Sequence, residues 1–319
     1  IVVNENVVLD LEELIKLWEE PLEKVFPTRV EQKGEARNIL SQKTPTITRE
    51  LPITRPHVFI PVFPGTNCEY DSAKAFEDAG ARVSTVVFKN LKPQDIQDSI
   101  ELFAKEIEKA QIIMFPGGFS AGDGPDGSGE FISSIFRNPK LKDLIHKHLY
   151  EKDGLMLGIC NGFQALVKLG LLPYGEIREM DDTMPTLTFN TISRHQSKMV
   201  NTKVVSKMSP WFSEVELGEV FTVPISHGEG RFIVSKELEE ELIANGQIAT
   251  QYVDFNGNAT YDIDFNPNGS VDSIEGITSP DGRILGKMGH SERCYRDILK
   301  NMPGKKDQKI FEAGVNYYR

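Results

Sequence analysis

GLMLGICNGFQALVKLG, residues 154–170, is the stretch from which the rest of the chain is read. Four apolar residues within 155–159 make a buried strand, and Gly158, Cys160 and Gly162 follow at every second position. A side chain displayed at a tight strand-to-helix turn needs small neighbours. A bulky residue two positions away would strike the turn or the adjacent strand, as in the Gly-x-Ser-x-Gly elbow of hydrolases. A helix beginning near Asn161 aims free N–H groups at Cys160 and favours its thiolate. The Asn161 N–H is then placed to donate to a developing oxyanion. The competing reading is a cysteine buried in an apolar strand, and the strand–turn–helix context weighs against it.

Moving outward, short apolar runs alternate with amphipathic helices. Upstream lie the strand HVFIPVF (57–63), a helix over YDSAKAFEDAG, the strand ARVSTVVF (81–88) and a helix beginning near Pro93. The strand QIIMF (111–115) and a helix over 139–149 follow. Strands alternating with helices predict parallel βαβ units with helices on both faces of the sheet. From about residue 184 the runs TLTFN, VFTVPIS, RFIV, IATQYVD and ILGKMG are separated by the turn signals DFNGN, FNPNGS and SPDGR. They predict an antiparallel extension of the mostly parallel sheet. The fold class is α/β.

Ahead of residue 57 the pattern is different. Asp10 caps a helix whose apolar face is Leu11, Leu14, Ile15 and Trp18, and which Pro21 should end. Residues 27–56 lack apolar periodicity and read as a linker laid along a surface. The domain boundary falls near residue 55. The opening does not read as a signal peptide, and the start without Met suggests a processed product or a piece of something longer.

The 319 residues carry 47 Asp and Glu against 36 Lys and Arg, a formal charge of −11. That balance argues against nucleic acid and anionic membranes as partners. No run approaches the roughly 18 apolar residues of a transmembrane helix. Cys68, Cys160 and Cys294 are spaced for neither a disulfide framework nor a zinc site, so no metal is expected and a reducing cytoplasm is. Cys68 and Cys294 read as buried structural thiols. The turn MFPGGFSAGD (114–123) leaves another strand, where Gly117 and Gly118 can bring a second N–H beside the cysteine. It could also be an ordinary loop or a phosphate cradle, but the chain has neither G-x-x-x-x-G-K-[ST] nor a G-x-G-x-x-G opening a helix after its first strand.

A thiolate attacking a carboxamide needs a histidine and a group to orient it. His57 enters a strand and His146 and His148 lie on the exposed side of a charged helix, so all three read as structural or solvated, while His195 sits in SRHQSK, a polar loop, and could line a site. Two histidines have a glutamate two residues on: His227 with Glu229 in PISHGEGRF, and His290 with Glu292 in MGHSER. Composition and spacing do not fully separate the two pairs; the place of His290 at the end of the strand ILGKMG, against the glycine-flanked turn of His227, favours His290 slightly.

GICNGFQ, PGGFSAGD, PGTNCEYDSA, PISHGEGRF, NPNGS and MGHSER, taken together, resemble the class I glutamine amidotransferase domains of phosphoribosylformylglycinamidine synthases over residues 57–319. The segment WEEPLEKVFPT also resembles the close of the preceding synthetase part of the large single-chain form, so residues 1–26 are expected to be its remnant. The resemblance implies a flavodoxin-like fold with a nucleophile elbow. It makes Cys160 the nucleophile, His290 the acid and base, and Glu292 the group that orients it. Gly118 and Asn161 would supply the oxyanion hole, and Gln164 and Gly117 would contact glutamine. His227 and Glu229 would belong to an accessory loop near the synthetase interface, with His195 beside it. The family usually has proline between the triad histidine and glutamate; this chain has Ser291. No cofactor is implied for the thiol chemistry, while ATP and Mg²⁺ belong to the synthetase portion, which would receive ammonia by an enclosed route. Rival readings are a glutaminase serving another amidating enzyme, a docking module without catalysis, and a cysteine hydrolase or chaperone of related fold acting alone.

Overall fold

Pairing along two neighbouring parallel strands puts the turn after one beside the turn after the other, and the catalytic candidates depend on that geometry. The computed structural model of the chain describes residues 2–3, 7–30, 34–45, 52–120, 128–294 and 298–319. In chain order the first elements are β1 (Val2–Val3), β2 (Val7–Val8), α1 (Leu11–Glu23), β3 (His57–Val62), α2 (Glu69–Asp78) and β4 (Arg82–Val87). Then come α3 (Pro93–Lys109), β5 (Ile112–Phe115), α4 (Glu130–Phe136), α5 (Pro139–Tyr150), β6 (Leu155–Ile159), α6 (Asn161–Leu169) and α7 (Leu171–Tyr174). The second half holds β7 (Thr186–Phe189), β8 (Gln196–Val204), β9 (Val220–His227), β10 (Glu229–Ile233) and α8 (Lys236–Asn245). It closes with β11 (Ile248–Tyr252), β12 (Ile274–Thr278), β13 (Ile284–Lys287) and α9 (Ile310–Asn316).

Nine strands form one sheet in the order β4-β3-β5-β6-β13-β12-β11-β8-β9. The first five are parallel, and β12, β11, β8 and β9 extend the sheet antiparallel. The α/β class and the presence of an antiparallel extension are those read from the sequence, but the membership is corrected. Of the runs expected in the extension only VFTVPIS (β9) and IATQY (β11) join it, while ILGK (β13) pairs parallel with β6 and so belongs to the parallel half of the sheet. β7 and β10 pair apart from it as a second, two-stranded sheet. β5 and β6 are buried at every position, as continuous apolar runs at the centre of a parallel sheet must be. Phe59, Phe63, Phe88, Phe103 and Phe136 fill the space between this half of the sheet and its helices with edge-on and stacked ring pairs. Burying each such ring is worth roughly 1.5–3 kcal/mol.

Three further sequence expectations are corrected. Pro21 lies inside α1, which runs on to Glu23, because the missing N–H costs one bond only two residues before the end. The α1 face of Leu14, Ile15 and Trp18 is exposed, with Trp18 at 87%. SRHQSK is not a polar loop beyond His195: Gln196 opens the long strand β8. His146 and His148 do not point to solvent. His148 is buried with Nε2 3.3 Å from the Leu155 carbonyl, and His146 Nε2 accepts the Ile177 N–H.

Part of the connector is pinned to the domain. Ser41 N–H donates to the Val205 carbonyl at 2.8 Å, and Ile39 is buried. Gln251 of β11 accepts from the Ile39 N–H and donates to the Arg37 carbonyl. The Arg37 guanidinium pairs with Asp272, Glu239 and Glu240. Residues 31–33 and 46–51 of the same stretch lie outside the described residues.

Candidate active site

β6 and β13 run parallel with Gly158 opposite Gly286 and Ile159 opposite Lys287. On the other side of β6, Phe115 of β5 stands opposite Gly158. The turns that follow β5, β6 and β13 therefore emerge together at the carboxyl ends of the strands, where open α/β sheets bind ligands. They carry Gly117, Cys160 and His290.

Cys160 sits between β6 and α6 with φ 53° and ψ −110°. This backbone turn throws its side chain out of the strand while α6 starts at once behind it. The small-neighbour requirement is visible in the packing. A Cβ on Gly158 would lie 2.7 Å from the Gly162 carbonyl oxygen, and one on Gly162 would lie 1.9 Å from that of Phe115. The first N–H groups of α6, including that of Asn161, have no partner within the helix. The Asn161 side chain is fixed by the Ser120 hydroxyl, which donates to its Oδ1 at 2.8 Å. The Cys160 thiol lies 3.8 Å from the Ser226 carbonyl oxygen at the end of β9.

His290 is buried, and its Nδ1 is 2.6 Å from Glu292 Oε1. A short 3₁₀ turn over Ser291–Arg293 folds Glu292 back onto the imidazole. Burial opposes charge on His290, but the Glu292 carboxylate and then Cys160 outweigh it and hold its pKa well above the ordinary value. Burial likewise works to raise Glu292, yet the imidazolium keeps it below the usual carboxylate range. His290 Nε2 has no hydrogen-bond partner among the described residues, so it is free to exchange a proton with a bound group. Gly117 separates base from nucleophile: a Cβ there would be 2.9 Å from His290 Cε1 and 3.4 Å from Cys160 Cβ. Gly118 has φ 131° and is pinned to the Thr66 turn, with the Phe119 N–H donating to the Gly65 carbonyl at 2.9 Å. Residues 121–123, the outer part of that glycine-rich turn, lie outside the described residues.

The second His-x-Glu pair is built differently. His227 closes β9 and Glu229 opens β10, so two strands carry the side chains to different partners. His227 Nδ1 lies 3.1 Å from Asn190 Oδ1, and Glu229 Oε2 accepts the Ser128 N–H at 2.9 Å. Burial, with the neighbouring His290 and His195, pushes the His227 pKa down to about 3. This histidine is neutral, and among the described residues no carboxylate is bonded to it. Gln164 ties the elbow helix to the same turn: its Nε2 donates to the Glu229 carbonyl, and its Oε1 lies 3.4 Å from Asn161 Nδ2. His195 is exposed at the rim, 2.9 Å from the Ser226 hydroxyl and beside the Phe119 ring.

Sequence reasoning missed two members of this neighbourhood. Cys68 is buried, as expected of a structural thiol, but its Sγ stands 3.8 Å from His290 Nδ1 and accepts from Arg293 Nη2 at 3.1 Å. The signal available was its place directly after the PGTN turn, which packs on the PGG turn. Cys68, His290 and Glu292 offer donor atoms within 4.8 Å of one another, a spacing that could hold a metal ion. His290 Nδ1 and Glu292 Oε1 are already hydrogen-bonded to each other. Burial pushes the Cys294 thiol up to about 12, and its Sγ faces the His290 carbonyl.

A thiol at an elbow, a carboxylate-backed imidazole and unpaired N–H groups are the parts of acyl transfer through a thioester. A family model described as a CobB/CobQ-like glutamine amidotransferase domain matches residues 55–318. A protein named phosphoribosylformylglycinamidine synthase subunit PurQ from Methanococcus maripaludis is 36% identical over 258 residues, covering 77% of this chain and 88% of that protein. A protein of the same name from Aquifex aeolicus is 33% identical over 245 residues, covering 76% and 93%. A chain in a solved structure titled "Structure of PurLQS from Thermotoga maritima" superposes with a TM-score of 0.60 at 26% identity, covering 83% of this chain and all of that one. No helix among the described residues is long and apolar enough to cross a membrane.

Proposed function

The chain belongs to the CobB/CobQ-like glutamine amidotransferase family, and from that premise we propose that it is the glutaminase of a phosphoribosylformylglycinamidine synthase. It hydrolyses glutamine and passes ammonia to a synthetase portion that uses ATP and Mg²⁺ to convert formylglycinamide ribonucleotide to the amidine. The observation that carries this reading is the buried His290–Glu292 pair, 2.6 Å apart, facing Cys160 across Gly117. Agreement with proteins named for this synthase, over most of their length, supports the choice of acceptor.

Cys160 thiolate attacks the side-chain carbonyl carbon of glutamine, and the N–H groups of Gly118 and Asn161 receive the oxyanion. The C–N bond breaks as imidazolium His290 gives its proton to the leaving nitrogen, releasing ammonia and leaving a glutamyl thioester. Neutral His290 then takes a proton from water, the hydroxide expels Cys160, and glutamate leaves. Glu292 holds the imidazole in place and favours its charged form, which the rise in the His290 pKa reflects. Gly117 leaves room for the substrate amide, and Gln164 contacts glutamine or supports the Glu229 turn that does. His227, Glu229 and His195 form the accessory rim toward the synthetase. Residues 57–319 are the amidotransferase unit, and the exposed α1 face of Leu14, Ile15 and Trp18 suits burial against that partner. Ammonia must pass between sites enclosed, because ammonium has no lone pair with which to attack.

The test is glutamate release by this chain with and without a synthetase portion loaded with formylglycinamide ribonucleotide and ATP. The expected result is slow release alone and faster release, with amidine formed, in the loaded complex. Equal rates in both, or stimulation only by a different acceptor, would refute the assignment.

A further inference from the structure

The strand that delivers the base carries a charge in the driest part of the molecule. Lys287 ends β13 and Glu275 lies beside it in β12; neither side chain has any exposed surface, and Nζ is 3.2 Å from Oε1. Both side chains reach forward into the turn that holds His290. Lys287 Nζ donates to the Gly289 carbonyl at 2.8 Å and lies 3.1 Å from the Ser291 hydroxyl. Glu275 Oε1 accepts the Gly289 N–H at 2.6 Å, while its Oε2 accepts from Thr250. The Ser291 hydroxyl donates to Gln308, whose Nε2 donates to Thr202 at 3.0 Å. The residues on either side of His290 are thus held from below. Gly289 lets the clasp close, since a Cβ there would come within 3.0 Å of both charged atoms and 2.7 Å of Val223 Cγ2.

Net stability does not account for this pair. Taking two charges out of water costs several kcal/mol per ion, and apolar residues of similar size commonly serve as well or better. Apolar residues cannot make directed bonds to two sides of one turn. Resting on the reading of His290 as base, we propose that Lys287 and Glu275 are positioning residues whose hydrogen bonds to Gly289 and Ser291 hold the His290 turn rigid.

The test uses the full 319-residue chain. Lys287→Met and Glu275→Leu are made together, because removing one partner strands a buried charge. With the fold checked by circular dichroism, the expected result is a glutamine KM within about threefold of the parent and a kcat lower by roughly 10-fold or more, the scale set by sub-ångström to ångström misplacement of a catalytic group. A milder variant covers failure of the double variant to fold: Ser291→Ala, which removes the bonds to Lys287 and Gln308, should lose kcat about threefold or more with KM unchanged. A folded double variant with parental kcat, or Ser291→Ala at the parental rate, would overturn the proposal. A parent chain that releases no glutamate even with the loaded synthetase portion would sink the functional reading and this proposal with it. The other overturning results leave the functional reading standing.

Discussion

Replacing Gly162 with alanine tests whether the elbow's geometry, and not merely its cysteine, makes the site. The added Cβ would lie 1.9 Å from the Phe115 carbonyl oxygen, 2.6 Å from its carbon and 2.8 Å from its Cβ. Two of these three atoms are backbone, and β5 is locked between β3 and β6, so Phe115 cannot yield. The start of α6 must move instead. Reaching even the tight limit of 3.0 Å takes a retreat of more than 1 Å, and ordinary contact takes about 1.5 Å. That retreat carries the Asn161 N–H and Cys160 away from Gly117 and His290. Overpacking of this kind costs about 1–3 kcal/mol or more, and a 1 Å misplacement about 10²-fold in rate. Gly228→Ala is the companion, because a Cβ there meets nothing within 4 Å. Urea denaturation of both variants gives the stability change, and glutamate release gives the rate. Gly162→Ala at the parental turnover and within about 0.5 kcal/mol of parental stability would refute the reasoning.

Other outcomes follow from the same geometry. His290→Ala should lower glutamate release by about 10³-fold or more, as loss of a triad member does. His227→Ala should lower it less, and the opposite ranking would exchange their roles. A chloro ketone analogue of glutamine should alkylate Cys160 and spare Cys68 and Cys294, whose thiols burial pushes up; peptide mapping that finds the adduct on Cys68 with Cys160 intact would contradict this. Burial lowers His148 to about 4, from an ordinary value of 6.5. Between those pH values the unfolded chain binds the extra proton, so stability falls as pH drops through that window, by about 1.4 kcal/mol per unit for this one group. His148→Gln should flatten the parental slope by that amount in denaturant titrations, and identical slopes would show that His148 is not held neutral.

The parallel half of the fold was legible because β3, β5 and β6 are uninterrupted apolar runs and α3 and α5 have one clear apolar face. β8 was not legible. Its sequence QSKMVNTKV buries only every second residue from Val200 on, and Lys198, Asn201 and Lys203 give it the look of a loop. β12 hid for another reason: IEGIT carries Glu275, a charge whose burial makes sense only once Lys287 is beside it. In the site, the elbow could be read from three alternating residues. The choice between His227 and His290 could not, because both pairs have the same spacing. What separates them is whether the chain continues as strand, taking Glu229 off to Ser128, or turns as a 3₁₀ segment that returns Glu292 to its own histidine. Cys68 was out of reach because it meets His290 across 222 residues of chain.

The backbone at Cys160 has one more implication. With φ at 53° and ψ at −110°, a residue with a Cβ occupies a region that glycine enters freely. Holding it there costs of order 1–3 kcal/mol, supplied by the surrounding packing. Cys160→Gly should therefore give a more stable protein that does nothing. A lineage in which this chain had become a mere scaffold would gain by that exchange at once, with nothing to oppose it. Keeping cysteine at this position is a standing tax on the fold, and it makes sense only while the thiol is in use.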